Sequence, residues 1–168
     1  MDTKKIVAKA KTSGFYLWLL NVGMNRMIPF NKPHGFKILE ISDNSLKTQV
    51  PYKKRNFNHI RGTHACALAT LSEFTTGFLM ISRLDPAKYR IIMQKLEMDY
   101  HYQAKMDATA TFTITDEWLK KEVYEPLDKG EVPVVKCEIK IYDKEDHHLT
   151  TGRIYWQVKP WSRVKTKV

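Results

Sequence analysis

Three side chains with chemical uses lie at fixed offsets in the middle of the chain: Asn58, His64 and Glu73. Gly62 interrupts the segment before the histidine, and Thr63 can cap a helix that begins near His64. From there to about residue 81 the residues are apolar or small on every side, which predicts a buried helix. A carboxylate inside such a helix is unfavourable unless it has a partner or a function. Glu73 is therefore the leading candidate for a general base or a carboxylate nucleophile.

The spacing of these residues resembles a known family. An asparagine, a histidine six residues later and an acid nine residues further on are similar to the motif of hotdog-fold thioesterases of the phenylacetate-pathway type. The likeness is greatest to a bacterial subgroup known as a domain of unknown function, in which the acid is usually Glu. The chain departs from the wider family in two places: Ala65 and Cys66 replace a pair of glycines, and Glu73 replaces the common Asp.

The resemblance implies an α+β hotdog fold, in which a curved antiparallel sheet wraps around a long central helix. It also implies a homodimer or a dimer of dimers, with each active site built from two chains. In the resembling enzymes the backbone N–H after the motif histidine polarises the carbonyl, which assigns that role to Ala65. Glu73 lies about 13 Å further along the helix than His64 by axial rise alone. The two groups would therefore act together only across the dimer interface.

Further residues have open roles. Asn58 and His64 either assist the reaction or hold the loop and the helix terminus. Arg61 and Gly62 are assigned to substrate binding. The basic residues near Arg61 in the sequence could bind the phosphates of coenzyme A. Thr76 is placed along the acyl chain, because small side chains there leave space between helix and sheet.

The order of elements predicted from hydrophobic periodicity is a helix, two strands, the long helix and four more strands. The first helix, 2–27, is interrupted near Ser13 and Gly14, and belongs to an N-terminal extension, 1–28. The strands are predicted at 36–41, 46–50, 89–102, 106–115, 132–142 and 149–158. The whole chain, 1–168, is one domain that ends in a basic tail, 161–168. His147 and His148 fall in a polar hairpin tip and are expected to be exposed.

The aromatic run that begins at Phe15 is much shorter than the roughly 20 residues of a membrane span. Basic residues precede it, so an interfacial membrane helix is one interpretation. We favour a helix that packs its aromatic face on its own domain. No cleavage site typical of a signal peptide follows the run.

Composition limits the remaining functions. Lys and Arg exceed Asp and Glu by ten, so the surface attracts anions such as coenzyme A, nucleic acid or anionic lipid. No aromatic-basic motif of a known nucleic-acid module is present, which argues against nucleic acid. Cys66 and Cys137 have no metal-binding spacing, so we expect no metal site, no cofactor and a reducing cytoplasm. The leading hypothesis is an acyl-CoA thioesterase, and the alternative is a hotdog protein that binds an acyl or fatty-acid ligand without turnover.

Overall fold

The computed structural model describes residues 3–165. The helices are α1 (Thr3–Ala10), α2 (Gly14–Met27), α3 (Ala65–Arg83), α4 (Asp116–Leu119) and α5 (Glu125–Asp128), and a π-helical turn, Lys120–Tyr124, joins the last two. The strands are β1 (Lys37–Ile41), β2 (Ser45–Val50), β3 (Tyr89–Tyr100), β4 (Ala108–Thr113), β5 (Val134–Asp143) and β6 (His148–Pro160). The predicted order of elements is confirmed. The predicted helix start at Asp2 and the tail residues 166–168 lie outside the described residues.

The six strands form one antiparallel sheet in the order β1-β2-β4-β5-β6-β3. Along β5, buried Val135, Cys137 and Ile139 alternate with exposed residues, so one face of the sheet is apolar and the other faces solvent. The long helix α3 packs on the apolar face against five of the strands. The predicted α+β fold with a sheet around a central helix is therefore confirmed.

Small residues let α3 approach the sheet closely. A Cβ atom added to Gly77 would lie 2.6 Å from the ring of Trp156, and one added to Gly152 would lie 2.9 Å from the hydroxyl oxygen of Ser72. The indole N–H of Trp156 donates a hydrogen bond of 3.0 Å to the hydroxyl of Thr76. These contacts explain why α3 is rich in Gly, Ser, Thr and Ala, since larger side chains would separate the helix from the sheet.

The two edges of the sheet differ. At β1, the side-chain amide of Asn21 in α2 donates to the carbonyl of Ile38 at 2.9 Å, and its oxygen accepts the Ile38 N–H at 2.7 Å. A side chain thus occupies hydrogen-bonding positions that a further strand would use, and α2 closes this edge. Within residues 3–165, no strand pairs with the outer edge of β3, which is open over its 12 residues.

The contact made by Asn21 also decides how α2 is rotated. Leu20 and Met24 are buried against the domain, whereas Phe15 and Trp18 are exposed. The prediction that α2 packs its aromatic face on its own domain is therefore wrong for Phe15 and Trp18, although Tyr16 packs against the core. The physical reason is that Asn21 must face β1, and this turns the helix face that carries Phe15 and Trp18 toward solvent.

By length and composition alone, α3 could cross a membrane. Most of its apolar window is buried inside the domain, which is typical of the core helix of a soluble protein.

Candidate active site

The loop before α3 is held together by the side chain of Asn58. Its amide oxygen accepts hydrogen bonds from the backbone N–H groups of Ile60, at 3.1 Å, and Gly62, at 2.9 Å. The backbone N–H of Asn58 donates to the carbonyl of Gly62 at 2.8 Å, which closes the turn. Arg61 has a left-handed backbone, with a φ of 60°, and its carbonyl accepts the hydroxyl of Tyr52 at 2.6 Å. The Asn58 side chain therefore shapes the loop that leads into α3.

His64, rather than Thr63, caps α3. The ring Nδ1 of His64 accepts the backbone N–H of Cys66 at 3.1 Å. The prediction that Thr63 caps the helix is wrong, because the buried hydroxyl of Thr63 has no hydrogen-bond partner among residues 3–165. The backbone N–H of Thr63 instead donates to Ala104 at 2.7 Å, which fixes the loop on the segment after β3. Because Nδ1 accepts a hydrogen bond, the neutral ring carries its proton on Nε2.

The N-terminus of α3 leaves one backbone donor available. The N–H of Cys66 is bonded to His64, and the N–H of Ala67 donates to the His64 carbonyl at 2.9 Å. The N–H of Ala65 has no hydrogen-bond acceptor within residues 3–165. It lies at the positive end of the helix dipole, so it is suited to stabilise a developing oxyanion.

Ala65 borders a cleft of about 340 Å³. Its other walls are the loop residues Asn58 and Thr63, the helix residue Leu68 and the segment that follows β3. Tyr100 lies at its edge, where its hydroxyl donates to the carbonyl of Ala65 at 3.1 Å. The cleft therefore places the available N–H of Ala65 beside the open edge of the sheet.

Glu73 lies two turns further along α3 and is half-buried. No Lys, Arg or His of the described residues forms a salt bridge with it. Burial raises the pKa of the Glu73 carboxyl above its ordinary value. A half-buried carboxylate without a cation is better suited to accept a proton than to stabilise the fold.

A second cleft, of about 330 Å³, lies on the Glu73 side of α3. Three aromatic side chains from separate segments line it: Phe30, Phe36 and Phe57. The other lining residues include Arg55, His64, Cys66 and Thr70. Thr70 and Glu73 are three residues apart, so both side chains project from the same side of the helix. This cleft offers apolar space about one helical turn from Glu73, which is not among its lining residues.

One chain does not bring the two chemical groups together. Ala65 and Glu73 are separated by about 12 Å of axial rise. Eight residues correspond to about 2.2 turns, so their side chains leave α3 at directions about 80° apart.

The residues assigned to the substrate lie in different environments. Arg61 is exposed in the loop, whereas Gly62 is buried, and a Cβ atom added to it would lie 3.1 Å from the side chain of Gln103. Thr76 is fully buried, and its hydroxyl donates to the carbonyl of Ser72 at 2.9 Å and accepts the Trp156 indole N–H. Arg61 and Gly62 are thus near Asn58, and Thr76 faces the sheet.

Aromatic and histidine side chains near the Ala65 cleft were not predicted from sequence. His101 and Tyr102 line the cleft. The ring of Tyr102 stacks on His147 with centroids 4.4 Å apart, and His101 lies 4.4 Å from His148. The prediction that His147 and His148 are exposed is wrong, since both are half-buried.

The hairpin tip folds back because of Asp143. Its carboxylate accepts the backbone N–H of Glu145 at 2.9 Å and lies 3.0 Å from Nδ1 of His147. Burial alone would raise the pKa of Asp143, but its hydrogen bonds, chiefly with His147, lower the pKa below its ordinary value. The described residues contain no group of three or more His, Cys, Asp and Glu that could hold a metal ion.

The fold and these clefts define a hotdog-fold protein, and comparisons with solved structures agree. A probable thioesterase from Pseudomonas aeruginosa has 18% identity and a TM-score of 0.76, with 95% of this chain and 97% of that chain covered. A thioesterase from Haemophilus influenzae has 13% identity and a TM-score of 0.68, with coverage of 89% and 94%. A protein of unknown function from Chlorobaculum tepidum has 12% identity and a TM-score of 0.71, with coverage of 93% and 95%.

The chain belongs to the family described as domain of unknown function DUF4442, which matches residues 17–158. No curated protein matches the chain. The predicted membership of a domain-of-unknown-function family is therefore confirmed, and the similar solved structures show the predicted hotdog fold.

Proposed function

We propose that the protein hydrolyses the thioester of an acyl-CoA at a site formed by two chains. The observation that carries this proposal is that α3 holds two groups without partners among residues 3–165, the backbone N–H of Ala65 and the carboxyl of Glu73. Thioester hydrolysis needs a donor for the oxyanion and a base for water. The names of the similar solved structures support the same class of reaction.

A homodimer is supported by the open edge of β3. Ile92 and Met93 are large apolar residues exposed on this strand. A long edge strand with exposed apolar side chains is unfavourable alone and favours pairing with another strand. Antiparallel pairing of β3 with a second β3 would bring the Ala65 cleft close to the partner subunit, because Tyr100 ends the strand and borders that cleft.

In the proposed reaction, the Glu73 carboxylate of one subunit removes a proton from water, and the resulting hydroxide attacks the thioester carbonyl. The oxyanion of the tetrahedral intermediate accepts the Ala65 N–H of the other subunit. Collapse of the intermediate breaks the carbon–sulfur bond, and the proton held by Glu73 passes to the thiolate. The products are the free acid and coenzyme A, and Glu73 returns to its carboxylate form.

The other site residues have supporting roles. Asn58 holds the loop, and the cap from His64 leaves Ala65 as the available donor. The exposed Arg61, with Arg55 and Lys53 nearby, contributes positive charge for the phosphates of coenzyme A. Around Lys53, burial and then the charges of Arg55 and Lys37 lower the pKa of its ammonium group, as expected for clustered cations.

The second candidate is an acyl-binding hotdog protein without turnover. The observation that favours it is Cys66, which is exposed at the aromatic cleft where the wider family has glycine. Its side chain, with the methyl group of Ala65, takes space that the family leaves empty.

The test is a panel of acyl-CoA substrates of increasing chain length, with loss of the thioester followed by its ultraviolet absorbance. A thiol reagent is less suitable, because exposed Cys66 would react with it. We expect turnover by the parent and a loss of most activity in Glu73→Gln. The matched control is Glu117→Gln, which removes an exposed carboxylate from α4 and should leave the rate unchanged. Equal rates for Glu73→Gln and the parent would exclude the proposed role, and tight fatty-acid binding without turnover would favour the second candidate.

A further inference from the structure

The outward face of α2 is apolar and aromatic. Phe15 is 64% exposed, Trp18 is 59% exposed and Val22 is 45% exposed. Their spacing of three and four residues places them on one side of the helix. We call these three residues the α2 stripe. The rings of Phe15 and Trp18 lie 5.9 Å apart, so they form one continuous apolar surface.

The α2 stripe is not needed to hold the helix on the domain. The opposite side of α2 already packs inward through Leu20 and Met24, and Asn21 bonds to β1. A helix that is apolar on both sides normally has both sides covered. A cluster of exposed aromatic side chains therefore indicates a surface that contacts a partner.

Cations stand at both ends of the α2 stripe. At one end, the ammonium of Lys9 lies 3.1 Å from the hydroxyl of Tyr16, whose ring is 5.5 Å from that of Phe15. At the other end, exposed Arg26 lies four residues after Val22, on the same side of the helix.

The charged residues of this segment of sequence are all positive, although Asp85 and Asp43 from other segments form ion pairs with Lys4 and Lys11. Residues 3–36 contain no Asp or Glu; their cations are Lys4, Lys5, Lys9, Lys11, Arg26 and Lys32. A second copy of the chain placed face to face on the α2 stripe would bring two such positive regions together. Charge therefore disfavours self-association through this surface and favours an anionic partner.

We propose that the α2 stripe docks on the surface of an anionic lipid bilayer. The aromatic and aliphatic side chains enter the boundary between headgroups and acyl chains, and Lys9 and Arg26 contact the negatively charged headgroups. The helix lies in the plane of the interface and does not cross the bilayer, since its 14 residues are about 21 Å long. Binding is weak, reversible and sensitive to salt, because one short face and a few cations supply it.

The experiment is sedimentation of the full chain with vesicles of phosphatidylcholine alone or of phosphatidylcholine mixed with phosphatidylglycerol. We expect binding only to the anionic vesicles, with a steady loss as salt is raised. The double variant Phe15→Ser, Trp18→Ser should lose this binding and keep its folding temperature, because both side chains are exposed.

Two double variants that remove the same amount of positive charge at different places test whether cations next to the α2 stripe matter more for membrane binding than cations elsewhere. Lys9→Gln with Arg26→Gln should weaken partitioning roughly 30-fold, since each cation near the surface contributes about a fivefold effect. The control is Lys136→Gln with Lys140→Gln, which changes net charge equally on the exposed face of β5 and should weaken partitioning much less.

Brominated lipids provide a direct measure of insertion. They should quench the fluorescence of the parent, and Trp18→Phe should still bind while losing most of the quenching. Absence of binding to anionic vesicles, or an equal effect of the two charge pairs, would overturn the proposal. A smaller oligomer in the Phe15→Ser, Trp18→Ser variant, seen by sedimentation velocity, would show that a second copy covers the stripe instead.

Discussion

The proposed oxyanion donor can be removed by one substitution that the fold tolerates. Ala65 is the first residue of α3, and its N–H has no acceptor within residues 3–165. Proline is favoured at this position of a helix, because it lacks only an N–H that the helix does not use. The preceding residue, His64, has φ and ψ of −60° and 138°, which is the extended conformation required before proline. Ala65→Pro should therefore remove the donor and leave the fold intact.

Ala65→Pro should lower the catalytic rate while it leaves the stability of the fold unchanged or slightly higher. Loss of one oxyanion donor lowers kcat by about 100- to 1,000-fold, which corresponds to about 2.7–4 kcal/mol. A compatible proline leaves the free energy of unfolding unchanged or raises it by about 0.4–1 kcal/mol. The assays are thioester hydrolysis by ultraviolet absorbance and thermal unfolding by circular dichroism. Ala65→Gly is the control, since it keeps the N–H and should keep kcat within a few-fold of the parent.

Mixed dimers test whether the site is shared between chains. Ala65→Pro and Glu73→Gln homodimers should both be nearly inactive. A mixed dimer holds one site with both native groups and one site with neither. Random assortment makes half of the dimers mixed, so about a quarter of the parent activity should return. Full kcat in folded Ala65→Pro would refute the role of this N–H, and no recovery in verified mixed dimers would refute the shared site.

Three further changes test the reasoning about the fold. Because burial raises the pKa of Glu73, the folded chain holds this proton more tightly than the unfolded chain. Stability therefore falls as pH rises from the pKa of Glu73 in the unfolded chain through its pKa in the folded chain. Glu73→Gln should raise the Tm more at neutral pH than below the ordinary pKa of Glu. Asn21→Leu leaves the N–H and carbonyl of Ile38 without partners, so urea titration should show that the free energy of unfolding falls by about 1–3 kcal/mol. Light scattering should show more aggregation, because the edge of β1 is no longer closed. An unchanged Cm would contradict the closed edge. Gly77→Ala places a Cβ atom against Trp156, so the same titration should show that the free energy of unfolding falls by about 1–3 kcal/mol. An unchanged free energy of unfolding would contradict the close approach of α3 to the sheet.

Local patterns were sufficient to predict most of the framework. The alternating β-branched residues of β4 and the buried run of α3 are recognisable from sequence. Alternation of apolar and polar residues indicates a strand that is buried on one face, and a continuous apolar run indicates a helix that is buried on every side. The position of Glu73 in a buried helix followed from the same signal. The break between α1 and α2 near Ser13 and Gly14 was also predicted correctly.

Predictions about which atoms meet were less successful. Thr63 and His64 are both credible caps from sequence. Only the structure shows that Nδ1 of His64 accepts the Cys66 N–H, whereas the Thr63 hydroxyl has no partner within residues 3–165. The half-buried state of His147 depends on Tyr102, which is 45 positions earlier in the chain. Such contacts join segments that the sequence separates, so no local pattern encodes them.

Sequence alone determined that this chain forms a sheet around an apolar helix and that the helix carries one unusual carboxylate, because both features depend on composition and spacing within a segment. The tertiary structure alone decided that α2 closes β1 and turns Phe15 and Trp18 outward. It also decided that, within residues 3–165, the Ala65 N–H has no acceptor and the outer edge of β3 is unpaired. These outcomes depend on competition among hydrogen-bonding groups from distant segments, and that competition is resolved only when the segments are brought together.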